Sequence, residues 1–69
     1  MQIEIGKSYI VNHARKGRFA GKLVRDEGEF VEILISSGKA TAMLKENEAD
    51  PGEKITIRRS LCTFEPLAA

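Results

Sequence analysis

Apolar and polar residues alternate along most of the chain. The clearest stretch has two arms, Phe19-Ala20-Gly21-Lys22-Leu23-Val24-Arg25 and Glu29-Phe30-Val31-Glu32-Ile33-Leu34-Ile35, either side of Asp26-Glu27-Gly28. Period-two alternation flanking a glycine-containing turn predicts a β-hairpin. With Asp26-Glu27-Gly28 as a three-residue loop and Gly28 left-handed, which costs glycine nothing sterically, Arg25 faces Glu29, Leu23 faces Val31, Lys22 faces Glu32 and Phe19 lies near Ile35. One face then collects Phe19, Leu23, Val31, Ile33 and Ile35, and opposite charges meet at two cross-strand pairs. A two-residue loop would set Leu23 against Glu32, and a one-residue slip sends every side chain to the wrong face, so the longer loop is the predicted register.

The same alternation predicts the other elements. Ile3 and Ile5, then Lys7, Tyr9 and Val11, form a strand interrupted or bent at Gly6. Residues 12 to 18 carry no apolar period and form a basic loop. Ser36-Ser37-Gly38-Lys39 marks a tight turn, with a further strand over Ala40 to Leu44. Asp50-Pro51-Gly52-Glu53 has the proline and glycine placement of a type II turn. Ile55 and Ile57 alternate with Lys54, Thr56 and Arg58 in a strand. Leu61 and Phe64, three apart, predict a single 3-10 turn near residues 60–64, and Pro66 and Leu67 suit a short edge strand or tail.

Sixty-nine residues make a single domain, residues 1–69, with a thin core, since a chain this short buries only about 60% of its unfolded surface. Its formal net charge of +1 points to no partner, but the charge is unevenly placed. Lys7, Arg15, Lys16, Arg18, Lys22 and Arg25 follow one another with no acid between them, whereas most carboxylates lie in Asp26 to Glu32 and Glu46 to Glu53. A single cysteine, Cys62, cannot form an internal disulfide. No apolar run approaches the roughly 20 residues of a membrane span, and the first residues do not read as a signal peptide. A cytoplasmic location with no membrane partner is the expectation.

Five or six short strands, tight turns and one helical turn predict an all-β fold closing into a small barrel. The element order resembles that of SH3-like barrels, including the Tudor and KOW types. Gly6-Lys7-x-Tyr9-x-Val11, then Lys16-Gly17-Arg18-Phe19-x-Gly21 and Val24, is similar to the KOW pattern of ribosomal and transcription-elongation proteins over residues 6–32. A weaker resemblance, to Sm-like RNA-binding proteins, runs through Phe19-x-Gly21-x-Leu23 and Ile57-Arg58. Arg59 stands there where that family has glycine, and the chain starts as strand instead of helix. The SH3-like resemblance implies that the loop after the first strand helps line a binding face.

Little in the chain carries catalytic chemistry. His13 is the one histidine, set among cations that favour its neutral form, and no Ser, Cys or Asp is tied to it by a recognisable spacing. One His and one Cys do not supply a metal centre, and no cofactor is expected. Cys62, between Leu61 and Phe64, reads as a small buried hydrophobe. The chain also lacks the motif residues of the plasmid-type dihydrofolate reductases, small SH3-like barrels that catalyse as tetramers. The expectation is a non-enzymatic binding module.

Two surfaces are candidates. The basic loop, with Arg15, Lys16, Arg18, Lys22 and Arg58 as phosphate contacts and backbone amides freed around Gly17, suits RNA or DNA; Lys7 would extend the stripe. Opposite the expected core, Ala20, Val24, Phe30 and Leu34 form an apolar face, with Val24, Phe30 and Leu34 as the interface to a protein partner or a homo-oligomer. Both compete with a plainer origin, solvated charge on a surface that is 30% charged and a hairpin bent so that both faces are partly buried.

Overall fold

The structure is a computed structural model that describes residues 3–38 and 50–67. These residues form one antiparallel sheet of five strands: β1 (Ser8–His13), β2 (Gly17–Asp26), β3 (Phe30–Gly38), β4 (Lys54–Arg58) and β5 (Cys62–Pro66). A 3-10 turn (Arg59–Leu61) joins β4 to β5. Lateral order is β4-β3-β2-β1-β5, so the last two strands in sequence are the two edges of the sheet. Arg58 and Cys62 are four positions apart, a reach of at most about 14 Å, whereas the edges of a flat five-stranded sheet lie about 19 Å apart. The sheet therefore curls, drawing its edges towards each other at this corner.

Curling places one face inside. Ile3, Tyr9, Val11, Phe19, Leu23, Val31, Ile33, Ile35, Ile55 and Ile57 make the core, with Cys62 and Phe64 packed against it. All five hairpin residues assigned inward from sequence are buried. Tyr9 meets the Phe64 ring edge-on at 6.1 Å and its hydroxyl accepts a hydrogen bond from the Glu4 amide.

The hairpin register differs from the expected one. Gly28 is left-handed, with φ +85°, and Asp26 Oδ1 accepts its amide, but the loop is Glu27–Glu29 and the pairs are Leu23 with Ile33, Lys22 with Leu34, Arg25 with Glu32 and Phe19 with Gly38. Leu23 does not oppose Val31. The turn itself sets this shift, pairing Arg25 with Glu32 where Glu29 was expected; Val24, the extra residue on β2 between Leu23 and Arg25, then takes back one position, and Ser36, the extra residue on β3 opposite Ala20 and Gly21, alters the pairs beyond. At Leu23 the slip is by two residues, which preserves the inward face while changing every partner.

Three further expectations change. Ile3 and Ile5 do not share a strand face: Gly6, at φ +92°, turns the chain, and Ile3 is buried while Ile5 is exposed. The loop over residues 12 to 18 shrinks to Ala14-Arg15-Lys16, because Asn12 pairs with Arg18 and His13 with Gly17. Leu61 and Phe64 do not share a helical turn; Cys62–Pro66 is drawn into a strand by pairing with Tyr9–His13. Ser36 to Gly38 stay in β3, and Lys39 and the strand expected over Ala40 to Leu44 lie outside the described residues. The turn at Asp50-Pro51-Gly52-Glu53 forms as expected, with Gly52 at φ +92° and the Glu53 amide donating to the Asp50 carbonyl.

Candidate polyanion-binding face

Strand alternation sorts the cations. On β2, Phe19, Gly21 and Leu23 point inward, leaving Arg18 and Lys22 exposed on the outer face with a buried Ala20 between them. Lys54 and Arg58 take the outer positions of β4. The register lays Lys54, Leu34, Lys22 and Ser8 in one row across four strands, and Arg18 beside Asn12 and Thr63 in another. Lys22 and Lys54, two strands apart, are about 10 Å from each other at the backbone, and Arg18 is about 13 Å from Lys22 along β2. Among the described strand residues, Glu65 of β5 and Glu32 of β3 are the acids on this face.

Ion pairing divides the cations further. Arg58 pairs with Glu29 and lies over the Phe30 ring, 4.9 Å from its centre. Arg59 pairs with Asp26 at 3.5 Å, Arg25 with Glu27 at 3.6 Å and Lys7 with Glu4 at 2.8 Å. The Glu4 and Lys7 pair lowers the carboxyl pKa and raises the ammonium's, chiefly through their hydrogen bond. Arg15, Arg18, Lys22 and Lys54, all exposed, make no ion pair with any described residue.

The sequence-selected residues thus separate. Arg15 and Lys16 occupy the β1–β2 turn, Arg18 follows on β2, and Lys22 lies further along the same outer face. Arg58 stands at the opposite end of that face, on the edge strand β4, with its charge engaged by Glu29. Lys54 joins them only in the fold: its outward position in the Ile55 and Ile57 alternation is visible in sequence, but the register alone sets it beside Leu34 and in line with Lys22. The shifted hairpin has the same effect on Lys22, which faces Leu34 instead of Glu32.

The turn amides are not free. His13 is buried, and its Nδ1 accepts from the Arg15 amide at 3.0 Å and the Lys16 amide at 3.1 Å, while the Ala14 amide donates to the Leu61 carbonyl. Burial, then the Lys16 and Arg15 charges, lowers the His13 pKa, so the ring is neutral near pH 7. Half-buried Cys62 donates from Sγ to the Arg58 carbonyl at 3.3 Å, and burial pushes its thiol up to about 11.

The apolar candidates are broken up. Phe30 is stacked under Arg58, Leu34 sits half-buried between Lys22 and Lys54, and half-buried Val24 occupies the β2 bulge. Ile10, Ala20 and Leu67 line a shallow groove, with Arg18 among its walls. Among the described residues no group of three or more His, Cys, Asp and Glu is arranged to hold a metal ion, and no helix is long and apolar enough to cross a membrane. The chain matches no known protein family, no curated protein and no solved structure.

Proposed function

We propose that the curled sheet is a half-closed barrel of the SH3-like type and that the protein is a non-catalytic, cytoplasmic module that binds the phosphate backbone of RNA or DNA. The strand order β4-β3-β2-β1-β5 and the 3-10 link between β4 and β5 support the fold type. One observation carries the function: the exposed cations Arg15, Arg18, Lys22 and Lys54 have no ion-pair partner among the described residues, in a chain whose other described arginines are paired.

The aromatic side chains narrow the mode of binding. Tyr9 and Phe19 are in the core, Phe64 packs on Tyr9, and Arg58 covers Phe30. Since these four are all the aromatic residues of the chain, bases have little to stack on, and affinity comes from phosphates. Catalysis is disfavoured because His13 Nδ1 is committed to two amides and the Cys62 thiol is neutral. Self-association through Val24, Phe30 and Leu34 is the weaker reading, because it would press the lysines flanking Leu34 against those of a second copy.

The test is fluorescence anisotropy with a labelled duplex and a labelled single strand at about 50 mM salt. Both bind, without sequence preference, and the affinity falls steeply with salt; no binding at low salt removes the proposal.

A further inference from the structure

The β1–β2 turn joins two features with opposite demands. Its amides at Arg15 and Lys16 converge on one acceptor, the geometry with which successive backbone N–H groups hold an anion. The acceptor is a neutral imidazole, His13 Nδ1. It accepts only while Nδ1 carries no proton. Once protonated, Nδ1–H would face two N–H donors, and the ring must leave them.

The surroundings set the direction of this change. From its own hairpin the ring meets the charges of Lys16 and Arg15. From β2 its cross-strand partner is Gly17, which has no side chain, and from β5 it is Cys62, whose thiol is neutral. The 3-10 turn contributes the Leu61 carbonyl, which holds the Ala14 amide at 2.9 Å. Among the described residues the charges acting on the ring are thus cationic, and an anion is what a protonated His13 requires.

We propose that this turn is a proton-gated oxyanion site: protonation of His13 releases the Arg15 and Lys16 amides and adds an imidazolium to the same turn, so a tetrahedral oxyanion is held in acid and not at neutral pH. The site shares its turn with the phosphate contacts proposed above and rests on that turn facing ligand, but it requires only a small anion. Binding is reciprocal, so the anion raises the pH at which His13 takes up its proton.

Nitrogen-15 NMR of the whole chain, with sulfate as probe, tests this, because sulfate keeps its charge across the range. Without ligand, the Arg15 and Lys16 amide resonances shift with the same midpoint as the His13 ring, below pH about 6.5. Sulfate binds at least about tenfold more tightly near pH 5 than near pH 7.5, the gain of a charge-assisted hydrogen bond, and raises that midpoint. His13→Asn, whose Oδ1 can accept the same amides without titrating, removes the pH dependence of sulfate binding and leaves the amides insensitive to pH. Equal sulfate affinity at both pH values, or an undiminished pH dependence in His13→Asn, overturns the proposal. Oligonucleotide binding that fails while the sulfate response stands would count against the nucleic-acid reading alone.

Discussion

Two regions of the sheet carry similar numbers of arginines and lysines and treat them differently. At the β2–β3 turn, Asp26, Glu27 and Glu29 neutralise Arg59, Arg25 and Arg58, tying this turn to β4 and the 3-10 turn. A backbone hydrogen bond from the Arg59 amide to the Glu29 carbonyl, 2.7 Å, reinforces the same corner. Along the β1–β2 turn and the outer face, Arg15, Arg18, Lys22 and Lys54 form no ion pair with any described residue. Cations in the first region hold the fold's corner, and these four in the second stay exposed, as the proposed ligand requires. Pairing, not local density of positive charge, separates the two roles.

The largest expected effect removes the scaffold under both regions. A Cβ at Gly21 would lie 2.4 Å from the Leu34 carbonyl oxygen and 2.5 Å from Ile33 Cγ2, so Gly21→Ala forces β2 from β3 and costs about 3 kcal/mol in urea denaturation. Gly28, in the paired corner, meets nothing within 4 Å and is needed for its φ of +85°, so Gly28→Ala costs only about 1 kcal/mol. If the two substitutions cost the same, the close approach of β2 and β3 is not what holds the outer face.

Charge removal sharpens the comparison directly. Arg18→Gln with Lys22→Gln lowers duplex affinity more than about tenfold at low salt and reduces the salt slope by about 2, with stability unchanged. Arg58→Gln does the reverse: affinity stays, and stability falls by about 0.5 to 1 kcal/mol, the worth of an exposed ion pair and a cation–π contact. An Arg58→Gln variant that lost affinity would merge the two regions into one surface.

The smallest effect is on pH dependence. The folded pKa of His13 is lowered, chiefly by burial, so the unfolded chain holds the proton more tightly. The contribution of neutral His13 to stability is complete above the unfolded pKa of about 6.5 and is lost as pH falls from there through the folded value. Urea midpoints over this range decline in the wild type and stay flatter in His13→Asn; parallel declines would place the titration elsewhere.

The all-β class, the five inward residues of the hairpin, left-handed Gly28 and the Pro51-Gly52 turn were legible because each follows from local rules of alternation or φ preference. The register was not. The shifted turn and the bulge at Val24 together leave no trace in binary pattern, since at Leu23 the resulting two-residue slip keeps Val31, Ile33 and Ile35 inward while moving Lys22 from Glu32 to Leu34. The basic turn was legible as a cluster, but its availability depends on distant partners. Arg58 meets Glu29 from 29 positions away, and Lys54 joins the candidate face only through β3. The role of His13 was hidden for a related reason: charge neighbours are visible in sequence, but acceptance of two amides depends on how short the turn is.

Duplex affinity measured as a function of salt concentration tests the central claim most directly. With Arg15, Arg18, Lys22 and Lys54 each neutralising a phosphate, log K falls against log salt with a slope of about −3 to −4, and the Arg18→Gln, Lys22→Gln variant brings it to about −2. A slope near zero, or one that the double variant leaves untouched, would contradict the assignment of the unpaired cations to a polyanion.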